Sequence, residues 1–216
     1  MKKLLAFCGV VFFGLVSCYA QQELLDKAEA SKEADNYQIS LDLLAEVDTI
    51  KLSVPQKARF YYLQASNFKF RREDSEAYPL LLKAKKLYTA IDSLDKVATI
   101  NLELFQVVKN IGSDQLQYKE YIDEYLAYHL SQNNPKNLRK AYIRIAVNFA
   151  RKSTVDSSFK YFRKGLRLIK IDQDTLAEAN MLNNFGVLHN EFTSYKDSAL
   201  YYFTTSRRLY KKNKSS

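Results

Sequence analysis

The heptapeptide Asp156-Ser157-Ser158-Phe159-Lys160-Tyr161-Phe162 is written again as Asp197-Ser198-Ala199-Leu200-Tyr201-Tyr202-Phe203, 41 residues further on. Leu168 returns as Leu209 at the same offset. A fixed internal period of this size marks a stacked helical array, because one short unit cannot bury its apolar face alone and must lean on its neighbours. Within the copies, Phe159, Phe162, Leu166 and Ile169, and then Leu200, Phe203, Leu209 and Tyr210, recur at the three-and-four spacing of a helix face. The chain therefore reads as a scaffold that presents a surface.

Working outward, ten helical segments in five antiparallel pairs account for residues 22 to 212. The first pair spans 22–34 and 37–48, with Asp35-Asn36 as its turn. The second starts after the N-cap Ser53, with Pro55 in the first turn, runs to Arg71, and continues over 74–91. Pro79 would cost that second segment a backbone hydrogen bond, so a start near Tyr78 or a kink is expected. The third pair is 94–111 and 115–130, with Gly112 as a C-terminal stop. The fourth opens on Asn134-Pro135 and covers 135–151 and 155–171. The fifth opens on Thr175-x-x-Glu178, read as a capping box, and covers 175–192 and 195–212.

Composition agrees. Hydrophobic residues make up 47% and charged residues 26%, ample for a core under an ordinary soluble surface. Once residues 1–20 are set aside, glycine remains only at Gly112, Gly165 and Gly186, too few for a many-turned β fold. The fold class is all-α, a right-handed α-solenoid of about five helix pairs over residues 21–212, followed by a charged tail at 213–216.

The N-terminus reads as an export signal. Lys2 and Lys3 precede 13 unbroken apolar residues, Leu4 to Val16. A spanning helix needs about 20, whereas a signal needs fewer. Two cleavages compete. Cys18-Tyr19-Ala20 before Gln21 gives a soluble product, the favoured reading, whereas Leu15-Val16-Ser17-Cys18 resembles a lipobox that would leave Cys18 acylated. Both place the chain outside the cytoplasm, in the periplasm or cell envelope. Both cysteines, Cys8 and Cys18, fall in this segment, so disulfides and thiolate chemistry are not expected in the remainder.

At this point the residues resemble the tetratricopeptide repeat. Asn183-Asn184-Phe185-Gly186, then Tyr195 and Ala199, are similar to that family's helix-turn-helix signature. Gly186 stands at the small position where paired helices cross, and Ala65 and Ala146 look equivalent. Ala77 and Ala84 match Ala199 and Ser206, and Asn101 matches Asn183. The period departs from the family's roughly 34 residues. The resemblance implies a concave surface of first helices that binds a protein or peptide. Carried over by position, that groove holds Arg59, Tyr62, Ser66, Lys69, Asn101, Phe105, Lys109, Lys140, Arg144, Arg151, Asn180, Asn183 and Asn190. Lys140 and Arg144 resemble one rung of the family's carboxylate clamp, while Tyr62, Ser66 and Leu102 depart from the other rungs. Exported arrays of this family in gram-negative bacteria often form the sensing half of membrane-spanning regulators. A sensor fragment and an envelope lipoprotein adaptor are thus alternative expectations.

Catalysis is not expected. His129 and His189 lie in different pairs with no partner at metal-ligand spacing, and no phosphate-loop, dinucleotide or nucleophile-elbow pattern occurs. No cofactor is implied. The formal charge is +9. Basic residues on residues 155–171 and 195–214 read first as a solvated face. Membrane attachment through that patch or through Cys18 ranks above nucleic acid, which an exported chain seldom meets. The apolar side chains of the last helix predict self-association or a missing cap.

Overall fold

The computed structural model describes residues 19–112, 115–150, 154–172 and 174–214. The export segment, Cys18 and Arg151 lie outside the described residues. Among the described residues ten helices and no strand follow one another: α1 (19–33), α2 (Tyr37–Ala45), α3 (Val54–Phe70), α4 (Asp74–Ala90), α5 (Leu94–Ile111), α6 (Gln115–Ser131), α7 (Pro135–Asn148), α8 (Val155–Asp172), α9 (Thr175–Phe192) and α10 (Lys196–Lys214). They pack as adjacent pairs in an all-α, solenoid-like pattern. The chain falls into two compact units, residues 1–124 and 125–216.

In the first unit, Leu25 and Ala28 of α1, Leu44 of α2, and Phe60 and Leu63 of α3 form a buried cluster. Ser40 of α2 and Asn67 of α3, both fully buried, meet through a 2.8 Å hydrogen bond. In the second unit, Ala146 of α7, Phe159, Phe162 and Ile169 of α8, and Met181, Phe185 and Leu188 of α9 form another. The small positions are where helices touch. Ala65, Ala77, Ala84, Ala146, Ala199 and Ser206 are all buried. Ser158 and Ser206 donate to the carbonyls of Ala146 and Ala179, each at 2.7 Å, an approach that a larger side chain would prevent.

The turns are sharper than their sequence suggests. Asp35, Arg72 and Asp92 take left-handed φ of 61°, 66° and 55°. The next amide in each case, Asn36, Glu73 or Ser93, bonds the carbonyl five residues back, at Ser31, Phe68 or Tyr88. These are Schellman ends built without glycine. Gly112 ends α5 in the same conformation, with φ 81°.

Four local expectations are corrected. α4 starts at Asp74, not near Tyr78, and runs through Pro79. Pro79 and Ser75 are both exposed, so the carbonyl left without its amide partner can be hydrated. α2 ends at Ala45 and α7 at Asn148, short of the expected 48 and 151. Asp174, not Thr175, caps α9, its carboxylate accepting from the Ala177 amide at 2.9 Å. On the last helix, whose apolar side chains were expected to lack a cover, Leu200 is 63% exposed.

Candidate functional site

In the first unit three of the residues expected in the groove, Arg59, Tyr62 and Lys69, join successive first helices. Arg59 of α3 bonds Asp26 at 2.6 Å and Glu29 at 2.9 Å, both on α1. Tyr62 of α3 donates to Glu103 of α5 at 2.8 Å, and Lys69 stands 3.0 Å from the same carboxylate. Burial, and next the Glu103 charge, push the Tyr62 phenol far above its usual range, so it serves as a fixed donor. Ser66 is half-buried. Lys109 is half-buried.

Two of these residues are interior. Asn101 is 1% exposed and donates to Glu124 at 2.8 Å, while Lys85 reaches the same carboxylate at 2.6 Å. Phe105 is 0% exposed, its ring 5.8 Å from that of Tyr118. Neither can meet a partner in this conformation. Asn183, two repeats further on, is exposed instead.

The second unit presents an open trough. Phe162 of α8 and Leu188 of α9 form its floor, Val147 and Ala150 one wall, and Asn184, Val187, Glu191 and Phe192 the other, around a space of about 210 Å³. Val147, Asn184, Val187 and Glu191 were not among the residues expected in the groove, although the first three lie three or four residues from one that was and Glu191 adjoins Asn190. Lys140 and Arg144 are exposed and precede Val147 at four- and three-residue steps, so the three share one stripe of α7. Asn190 is exposed, and its backbone carbonyl accepts from Lys196. Asn180 instead bonds the Leu176 carbonyl and the Tyr210 hydroxyl of α10, which holds it away from the trough. Arg139 of α7, 7% exposed, ties α7 to the start of α9 through Asp174 at 3.1 Å. The Ala177 amide, and then Arg139, hold the Asp174 carboxyl below the usual range.

The histidines are packing groups. His189 stacks on Tyr202 with centroids 5.4 Å apart and lies 4.6 Å from Phe159. His129 meets Tyr125 edge-on at 4.6 Å. Burial lowers the pKa of both, helped by Arg163 at His189 and by Arg144 at His129. Among the described residues no three His, Cys, Asp or Glu converge to hold a metal ion, and no helix is long and apolar enough to cross a membrane.

No family model and no curated protein matches this chain. Among solved structures it is similar to the crystal structure of BtubC (BKLC) from P. vanneervenii, with TM-score 0.63 and 16% identity over 99% of this chain and 87% of that one. At that identity the likeness is one of fold, an all-helical chain of packed pairs.

Proposed function

We propose that this chain is a non-catalytic tetratricopeptide-type scaffold of the bacterial envelope that captures a protein or peptide on its first-helix surface. The α7–α9 trough carries the reading. It combines an apolar floor at Phe162 and Leu188, an amide at Asn184 able to donate and accept, and the cations Lys140 and Arg144 on the stripe that leads to Val147. An extended peptide needs these three elements: a seat for a side chain, partners for its backbone, and a charge for its acidic groups or carboxylate. The export-signal pattern of residues 1–20 supports the envelope placement.

The test is affinity capture from an envelope fraction with the wild-type chain and with a Lys140→Glu, Arg144→Glu, Val147→Asp variant. All three side chains are exposed, so the fold should hold, as circular dichroism would verify. Partner recovery should fall about tenfold or more. Equal recovery of the same partners by the variant would count against the trough.

A further inference from the structure

The 41-residue repeat places Phe159 of α8 and Leu200 of α10 at the same position, yet their surroundings differ. Phe159 is 7% exposed because α9 covers it, with Phe185 at 5.9 Å and His189 at 4.6 Å. Leu200 is 63% exposed, as is the adjacent Tyr201. A helix position that is covered once and open once supplies its own template for what the open copy accepts.

Charge defines that occupant further. Residues 125–216 hold 17 Lys and Arg against 6 Asp and Glu, whereas residues 1–124 hold 16 against 18, so the net positive charge belongs to the second unit. α10 concentrates it, with six cations and one acid, Asp197. Arg207 and Arg208 are exposed about two turns beyond Leu200. A second copy of α10 would bring its own excess of five cations beside this one, and that net like charge disfavours self-pairing.

We infer that the outer face of α10 is a docking surface for an acidic amphipathic helix of a partner protein, seated as α9 sits on α8. On α8, Phe159 meets the later residues Phe185 and His189 of α9, while Gly165 meets the earlier Met181, so the two helices run antiparallel. In the same geometry the partner lays bulky apolar residues four apart over Leu200 and Tyr201. Its first two turns then lie over Arg207 and Arg208, and acidic residues there also suit the helix dipole. This surface is separate from the α7–α9 trough and does not depend on it.

The test uses the full chain and a labelled peptide of residues 174–192 carrying Ala177→Glu, which adds a third acid to the first two turns beside Asp174 and Glu178, with binding read by fluorescence anisotropy. Saturable 1:1 binding is expected, weakening with salt. Leu200→Asp and, separately, Arg207→Glu with Arg208→Glu should each weaken it about tenfold or more. A control peptide with lysine at those three positions should not bind, and Lys140→Glu with Arg144→Glu should leave binding unchanged. Circular dichroism checks the fold of each variant, and Leu200→Ser gives a second, milder probe. Absence of binding, or binding indifferent to Leu200, overturns the proposal. So does a dimer in light scattering that Leu200→Asp makes monomeric, which would make the occupant a second copy. Leu200-dependent binding to phosphatidylglycerol vesicles without peptide binding would assign the face to a membrane and overturn it equally.

Discussion

The Phe203 ring of α10 occupies the space where a side chain on Gly186 of α9 would lie: a Cβ there would stand 2.7 Å from Cδ1 and Cε1 of that ring. The obstructing atoms belong to a ring held between helices, so relief requires α9 and α10 to move apart. Gly186→Ala gains about 1 kcal/mol in helix propensity. The overpacking costs more, so a net loss of about 1–2 kcal/mol is expected in urea unfolding. Gly165 supplies the opposite case. A Cβ there would meet Met181 Cε at 2.9 Å, the far end of a flexible thioether chain that can turn aside. Gly165→Ala should therefore be neutral or stabilising, by up to about 1 kcal/mol. The same sign for both variants would refute this reading of the two crossings.

Glu103 joins α3 to α5 by accepting from Tyr62 and pairing with Lys69. Its side chain is only 15% exposed, so solvent replaces these contacts poorly. Glu103→Ala leaves a phenol and an ammonium without their acceptor, and a loss of about 2–3 kcal/mol is expected. Glu103→Gln keeps an acceptor for Tyr62 and should lose less. A loss below about 0.5 kcal/mol for Glu103→Ala would mean that the pair acts as an exposed one does.

The Schellman ends give a third pair of opposite signs. Arg72 holds φ 66° with an exposed side chain, a conformation that glycine adopts without the Cβ penalty. Arg72→Gly should raise stability by about 0.5–1 kcal/mol. Gly112 sits at φ 81° with nothing within 4 Å of a built Cβ, so Gly112→Ala should lose about 1 kcal/mol through backbone strain alone. Thermal melts of the two variants should shift in opposite directions.

How far the sequence speaks depends on which neighbours decide each feature. The repeat at Asp156 and Asp197, the cap at Ser53, the stop at Gly112 and the small residues Ala65 and Gly186 are local signals, and the helices follow them. The left-handed turns at Asp35, Arg72 and Asp92 carry no glycine, so their geometry emerges only once paired helices fix the chain direction. Burial at Asn101 and Phe105 is a matter of α6, whose Glu124 and Tyr118 cover them, and positional analogy with Asn183 cannot see that helix arrive. Leu200 shows the converse: its repeat partner Phe159 is core because α9 lies over it, so apolar identity alone does not mean burial. In the trough, Val147 and Val187 escaped notice because aliphatic residues at helical spacing read as core from sequence, and only the packed α7 and α9 reveal them as walls.

Acid should loosen the fold before its carboxylates titrate. His189 and His129 both have pKa values below the ordinary histidine value, burial being the leading cause and Arg163 and Arg144 the second. The unfolded chain, with histidine near 6.5, then binds protons that the folded chain refuses. Their stabilisation is complete above that value and is lost as pH falls through it toward the folded values. The Asp174 carboxyl, held low by the Ala177 amide and Arg139, follows the same sign but acts only at more acidic pH. A fall in melting temperature from pH 7.5 to pH 5 thus reports on the imidazoles. His189→Phe keeps a ring against Tyr202 and Phe159 and removes the proton site. Thr193, which bonds the His189 backbone carbonyl at 2.9 Å, retains that partner. The variant should melt near the wild type at pH 7.5 and lose less on acidification. An identical acid shift in both proteins would show that His189 protonates as readily in the folded chain as in the unfolded one.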